Sequence, residues 1–165
     1  YGVRKIVDIP FTGNGRMSEA QAAMALLSLE DYQSNQRRNR GYYNLYKKLL
    51  ADVKGLKIYE PDSNGISNYQ YVVCRIDEKK FGFPRDRLVD VMRAENIMSR
   101  RYFTPGIHRS PPYCNDLPQY IDALANTDAL CASLFQLPSG QDVNPEIIGK
   151  ISNIIVTIHK NLCDM

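Results

Sequence analysis

The sequence predicts a single mixed domain of the α/β class, with α+β character, in which a short sheet is covered by helices. Two observations predict it. Helical and strand-like segments alternate in the order helix, strand, strand, helix, strand, helix, strand, helix. The chain has 165 residues, 44% hydrophobic and 24% charged, which suits one globular domain with a substantial core.

The first predicted element is a long helical region. Ser18 and Gln21 have the spacing of a capping box, so we expect a helix to begin at Ser18. The apolar periodicity continues to Leu50, and Gly55 is a suitable terminator. Gly41 lies inside this region and costs about 1 kcal/mol relative to alanine. We therefore expect a kink or a break at Gly41.

Two strands are predicted next, followed by a helix and a third strand. LKIYEP at 56–61 is typical of a short edge strand, and YQYVVCRID at 69–77 is apolar enough on both faces for a central strand. Pro84 is placed to open a helix, because proline is favoured in the first helical turn. NIMSRRYF at 96–103 is predicted to return as a strand.

The C-terminal part is predicted to contain helix, strand and helix. QYIDALANTDAL at 119–130 favours a helix, and CASLFQLP at 131–138 favours a strand. Asn144 and Pro145 are placed to start the last helix. An apolar stripe on that helix is formed by Ile147, Ile151, Ile154 and Ile158.

Charge and hydropathy argue against several functional classes. A net charge of +3 is too small to indicate a nucleic-acid partner, and the basic run QRRNR with Lys47 and Lys48 is typical of a solvated helix face. No apolar run approaches the roughly 20 residues that span a bilayer. The four cysteines form no CxxC motif, which favours reduced thiols. We expect a cytoplasmic protein with no membrane or nucleic-acid partner.

The first candidate site is the loop Thr12 to Arg16, which precedes the first helix. Gly13, Asn14, Gly15 and Arg16 could direct backbone N–H groups at an anion, and the helix N-terminus would add its positive dipole end. The alternative is a tight turn in which Asn14 caps the backbone and Arg16 pairs with a surface carboxylate. The local pattern alone favours this alternative. The loop is not a dinucleotide-binding fingerprint, because Ser18 occupies the position of the third glycine.

The second candidate site is the proline-rich segment RRYFTPGIHRSPPY at residues 100–113. Arg101 and Arg109 suit phosphate, whereas Tyr102 suits stacking on a sugar or base. The alternative is a polar loop with its tyrosines packed beneath it, and a histidine such as His108 is more commonly a packing residue than a catalyst. His159 is expected to be exposed or to interact with the C-terminal dipole of the last helix. No catalytic or metal-binding motif is present.

Four segments together closely resemble the C-terminal third of the DegT/DnrJ/StrS family. They are GNGRMSEAQAAMALLSLE, NYQYVVCRID, RDRLVDVMRAENIMSRRYFTPGIHRSPPY and LPSGQDVNPEII. The resemblance covers nearly the whole chain in order. It implies the small C-terminal domain of a pyridoxal-phosphate (PLP) enzyme of the aspartate-aminotransferase type (fold type I), with a mainly antiparallel sheet. The pattern at 100–113 resembles the branch that aminates a nucleotide-linked 4-keto-6-deoxy sugar, with products like dTDP-4-amino-4,6-dideoxyglucose, as in O-antigen synthesis.

The resemblance also implies roles for the two candidate loops. The loop at Gly13, Asn14 and Arg16 would cross a homodimer interface, where the asparagine reaches the PLP phosphate of the partner subunit. In the second loop, Tyr102 and His108 would lie at the sugar end of the substrate. Arg101 and Arg109 would bind its phosphates.

The resemblance implies that this chain lacks part of the chemistry. In this family the Schiff-base lysine and the carboxylate facing the pyridinium nitrogen lie on a large N-terminal domain. We therefore expect residues 1–165 to be one small domain, without catalytic residues and without covalently bound PLP. The parent enzyme would use an amino-acid donor, glutamate, and the chain alone would be inactive. The alternative is a non-catalytic dimerisation or ligand-binding module derived from that domain.

Overall fold

A computed structural model describes residues 15–62 and 64–163. The chain divides into two compact units, residues 1–33 and residues 34–165. The first unit contains α1 (Glu19–Glu30), and the second contains most of α2 (Tyr32–Leu49) and all later elements. Within the described residues, no helix combines the length and the apolar character needed to cross a membrane.

Helix α1 begins as its sequence predicts. Ser18 Oγ accepts from the Gln21 backbone N–H at 3.2 Å, and Gln21 Oε1 accepts from the Ser18 N–H at 2.9 Å, which confirms the capping box. None of the residues of α1 is buried. The helical region breaks at Asp31, whereas α2 passes through Gly41 without interruption, so the predicted break at Gly41 was wrong. A Cβ at Gly41 would meet nothing within 4 Å, so the glycine is simply tolerated on the helix surface.

Among the described residues, the sheet has four strands in the order β1-β2-β4-β3, and all of their pairs are antiparallel. The strands are β1 (Leu56–Ile58), β2 (Val72–Ile76), β3 (Arg100–Arg101) and β4 (Leu134–Leu137). The predicted edge position of the first strand and the central position of the second are confirmed. Side chains alternate between the two faces of a strand, and the register places Cys74 opposite Phe135, so both point to the buried face.

Helices of the second unit and the buried sheet face share one hydrophobic core. The remaining helices are α3 (Glu78–Phe81), α4 (Arg85–Ala94), α5 (Tyr113–Asp116), α6 (Ala125–Ser133) and α7 (Pro145–Cys163). Tyr46 from α2, Leu88 from α4 and Ile155 from α7 are completely buried in this core. Cys74 is buried there as well, and burial raises the pKa of its thiol. The predicted layer of helices on a short sheet is therefore confirmed.

The structure corrects the boundaries of three predicted segments. The helix predicted at 119–130 is a 3₁₀ turn at Pro118–Tyr120 followed by α6, so the regular helix begins later, and β4 correspondingly begins at Leu134. The strand predicted at 96–103 pairs only at Arg100 and Arg101. Apolar periodicity locates a segment well but cannot show where the partner strand stops pairing.

The last helix begins at its predicted cap, because Asn144 Oδ1 accepts from the Ile147 N–H at 2.9 Å. Its buried stripe differs from the predicted one. The core side contains Ile148, Ile151 and Ile155, together with His159. His159 is buried, donates from Nδ1 to the Phe81 carbonyl at 3.1 Å and stacks on the Phe81 ring. Its predicted exposure was therefore wrong.

Replacing Ile155 with alanine should lower the free energy of unfolding by about 2–5 kcal/mol, because the change removes a completely buried side chain and leaves a cavity. Ile66, which is 90% exposed, provides a matched control. Ile66→Ala should change stability by about 0.5 kcal/mol or less. Equal destabilisation of both variants in urea would contradict the core described above.

Candidate functional site

A cavity of about 590 Å³ lies between the segment after β3 and the segment that ends in α6. Its volume is within the usual range for small-molecule sites. Almost all atoms that face it are apolar, and its rings come from Tyr102, Phe103, His108, Tyr113 and Tyr120. The aliphatic part of the lining is Ile107, Leu117, Leu124, Leu130 and Leu134. A binding surface of this kind favours an apolar or ring-shaped portion of a ligand.

The wall around His108 is held by an ionic cluster. His108 Nε2 lies 3.0 Å from Asp128 Oδ1, and only 5% of the histidine side chain is exposed. Arg109 donates to both oxygens of the same carboxylate at 2.7 Å, and it lies 3.6 Å from Asp122. The hydrogen bonds and charge of Arg109 lower the pKa of Asp128 to about 2, with a further contribution from His108. The pKa of Arg109 is raised by the same contacts.

A second ionic cluster ties β3 to α4. Arg101 donates from Nε to Asp86 and from a terminal nitrogen to Asp90, both at 2.7 Å. Partial burial raises the pKa of Asp86, but hydrogen bonds and charge from Arg101 and Arg85 outweigh it, so the net shift is downward. These contacts raise the pKa of Arg101. The edge strand is therefore joined to the first two turns of α4.

Arg85 anchors the segment between β3 and the cavity. Its guanidinium is nearly completely buried and donates to the Leu134 carbonyl, to the Cys131 carbonyl at 2.8 Å and to Thr104 Oγ1 at 3.3 Å. Thr104 Oγ1 in turn donates to the Cys131 carbonyl at 2.7 Å. Arg85 Nε lies 2.7 Å from Asp86 Oδ1, which balances the buried charge.

The structure brings together four of the residues singled out from the sequence. Tyr102 and His108 line the cavity, whereas Arg101 and Arg109 flank it and are paired with carboxylates. Arg16 is exposed, ahead of α1. Gly13 and Asn14 lie outside the described residues.

Sequence reasoning missed Asp128, Arg85 and Gly106. Asp128 follows His108 by 20 positions, and nothing local indicates that they meet. Gly106 permits a close approach, because a Cβ there would lie 2.7 Å from His108 Cε1 and 2.9 Å from Nδ1. The adjacent arginine and aspartate at 85–86 were a weak signal, since a charged pair at a helix start is more commonly solvated.

Comparison with known proteins identifies relatives of this chain. The profile of the DegT/DnrJ/EryC1/StrS aminotransferase family matches residues 3–156. The dTDP-4-amino-4,6-dideoxy-D-glucose transaminase of Escherichia coli is 32% identical over 157 residues, which are 94% of this chain and 42% of that protein. The chain therefore spans about two fifths of the length of this curated relative.

Solved structures of aminotransferases are also similar to this chain. The crystal structure of DesI in the presence of its TDP-sugar product is 34% identical, with a TM-score of 0.79 over 88% of this chain and 37% of that one. The putative sugar aminotransferase Spr1654 of Streptococcus pneumoniae, in its PLP form, is 16% identical and has a TM-score of 0.71. It is matched over 88% of this chain and 36% of its own, and it shows the same fold.

No lysine lines the cavity, so no amine is placed there for a Schiff base. The part of the chain that the structure describes also contains no cluster of histidine, cysteine and acidic side chains that could bind a metal ion. The cavity provides an apolar surface with several aromatic rings, and ion pairs hold the His108 side of it in place.

Replacing Arg109 with glutamine should raise the pKa of Asp128 from about 2 toward its ordinary 3.8, because the paired cation is lost. The folded-state pKa lies below the unfolded one, so the pair stabilises the fold above about pH 4 and this contribution is lost as the pH falls through about 2. Carboxyl NMR titration measures the shift. Arg87→Gln, on the exposed side of α4, is the control, and an unchanged titration in Arg109→Gln would refute the pairing.

Proposed function

Because the chain belongs to the DegT/DnrJ/EryC1/StrS aminotransferase family, we propose that it is the C-terminal small domain of a PLP-dependent nucleotide-sugar aminotransferase. The parent enzyme transfers an amino group from glutamate to a nucleotide-linked 4-keto-6-deoxy sugar. The observation that carries the proposal is the match over 94% of this chain to a transaminase named for a dTDP-4-amino-4,6-dideoxy sugar. In this proposal the cofactor domain lies in the part of the relatives that this chain does not span. Bound PLP supplies the amino-group exchange.

The cavity is proposed to receive the sugar end of the substrate. A 6-deoxy sugar presents a methyl group and C–H faces, which suit a lining of aromatic and aliphatic carbon. Tyr102 offers a ring face, and His108 bounds the same space. The residues of this chain would thus bind and orient the sugar and exclude water from it.

Arg101 and Arg109 are proposed to meet the diphosphate of the nucleotide sugar. Both side chains remain partly exposed, 27% and 39%, although each is paired with carboxylates. A diphosphate would have to share the guanidinium groups with Asp90 or Asp122, the more exposed partners. These two arginines would therefore contribute mainly to orientation.

The cofactor contact of this chain is proposed to operate across a homodimer. Gly13, Asn14 and Arg16 would form the loop that approaches the PLP phosphate of the partner subunit, next to the N-terminus of α1. The reaction would take place in the cytoplasm and serve polysaccharide synthesis, as in O-antigen assembly.

A second candidate function is a non-catalytic dimerisation or ligand-binding module. It is favoured by the apolar residues that α1 leaves exposed, which include Met24, Leu26, Leu27 and Leu29. Exposed apolar surface of this extent commonly marks an interaction site. The two functions differ in one respect, since only the aminotransferase converts a keto sugar to an amino sugar.

In the dimeric parent enzyme, Asn14→Ala should weaken PLP retention about 10- to 150-fold. A hydrogen bond to a charged phosphate contributes about 1.5–3 kcal/mol, and each 1.4 kcal/mol is a factor of ten. Equilibrium dialysis of the cofactor measures the change. Asn153→Ala, on the exposed side of α7, is the matched control, and equal retention by both variants would exclude the trans contact.

Replacing His108 with alanine in the parent enzyme should slow the sugar half-reaction about 10- to 100-fold, because the sugar site loses part of its lining. The amino-donor half-reaction should be unchanged. Single-turnover absorbance of the cofactor follows each half separately. Equal loss in both halves would assign His108 a structural role only. A wild-type parent that binds the nucleotide sugar without aminating it would favour the non-catalytic module.

A further inference from the structure

Neither ring nitrogen of His108 is accessible, because one is paired and the other is buried. Nε2 faces the Asp128 carboxylate at 3.0 Å. Nδ1 is buried with no hydrogen-bond partner among the described residues, and it lies against Gly106, where a Cβ would come within 2.9 Å. The imidazole nevertheless lines the cavity, so it does so chiefly through carbon.

These contacts determine which nitrogen carries the hydrogen. The Asp128 carboxylate, paired in bidentate fashion with Arg109, is ionised and can only accept. His108 Nε2 must therefore donate. A hydrogen on Nδ1 would be a buried donor without an acceptor, which costs free energy. The Nε2–H tautomer satisfies the Asp128 carboxylate and avoids a buried donor at Nδ1.

We propose that Asp128 is a positioning residue that fixes His108 in the Nε2–H tautomer, so that the histidine forms a rigid, carbon-faced wall of the sugar site. In that role His108 is neither an acid or base nor a hydrogen-bond donor to the substrate. The statement about the sugar rests on the proposed function, whereas the tautomer and its cause do not. Nε2 is already paired with Asp128, and Nδ1 keeps a lone pair but is buried, so neither nitrogen is available to a substrate hydroxyl.

Asp122 provides a matched control within the same cluster. It pairs with Arg109 at 3.6 Å, its side chain is 93% exposed, and the contacts of His108 involve Asp128 instead. Asp122→Ala therefore removes a carboxylate next to Arg109 and leaves the His108 pair intact. Asp128→Ala removes the acceptor of His108 itself.

The test is long-range ¹H–¹⁵N NMR of the histidine-labelled chain, which contains two histidines. His159 donates from Nδ1 to the Phe81 carbonyl, so the two rings should show opposite patterns. We expect Nε2–H for His108 in the wild type and in Asp122→Ala. In Asp128→Ala we expect the Nε2–H signals of His108 to shift, because Nε2 loses its carboxylate acceptor. His159, the internal reporter of the fold, should stay unchanged.

Two results would overturn the proposal: a wild-type His108 with its hydrogen on Nδ1, or an unchanged His108 pattern in Asp128→Ala. If His159 also changes in Asp128→Ala, that variant has lost its fold, and the wild-type pattern together with that of Asp122→Ala decides.

A kinetic measurement separates this proposal from the proposed function. In the parent enzyme, Asp128→Ala should raise the KM for the nucleotide sugar several-fold, with the amino-donor half-reaction unchanged. Asp122→Ala removes only a carboxylate that competes with the diphosphate for Arg109, so it should leave this KM equal or lower. An Nε2–H signal that depends on Asp128, combined with an unaltered KM, would overturn the assignment of the cavity to the sugar and would leave the positioning role of Asp128 supported.

Discussion

The buried guanidinium of Arg85 joins the parts of the second unit that define the cavity. Its hydrogen bonds end on the carbonyls of Cys131 and Leu134, at the junction of α6 and β4, and on the Thr104 hydroxyl in the segment after β3. Hydrogen bonds that involve a charged group stabilise by about 1.5–3 kcal/mol each. The same two carbonyls also accept from Thr104 Oγ1 and from the Tyr102 backbone N–H, so each is the acceptor of two hydrogen bonds. One side chain from α4 thus joins the segment after β3 to the junction of α6 and β4.

The segment at 100–113 is basic in sequence, but in the structure its arginines Arg101 and Arg109 are paired with carboxylates. Arg101 is paired with Asp86 and Asp90, and Arg109 is paired with Asp128, so the positive charge is largely compensated within the chain. What remains accessible is an apolar cavity flanked by these ion pairs. This arrangement favours recognition of an apolar or ring-shaped group by its shape.

Elements with strong local signals could be predicted. The capping box at Ser18, the central strand around Cys74 and the cap at Asn144 each depend on residues close in the sequence, and the structure contains all three. Predictions failed where packing decides. Gly41 does not interrupt α2, because a surface helix tolerates a glycine, and His159 is buried because Phe81, far away in the chain, accepts its hydrogen bond.

The sequence by itself determined the layered α/β character and, through its family resemblance, the antiparallel sheet. It also predicted two candidate binding segments. These depend on periodicity, capping and motif, which are local properties of the chain. Only the tertiary structure decided that Asp128 reaches His108, that Arg85 joins α4 to β4, and that the space beside them is apolar. Such contacts join residues 20 to 49 positions apart, and only the packing of helices on the sheet brings them within hydrogen-bonding distance.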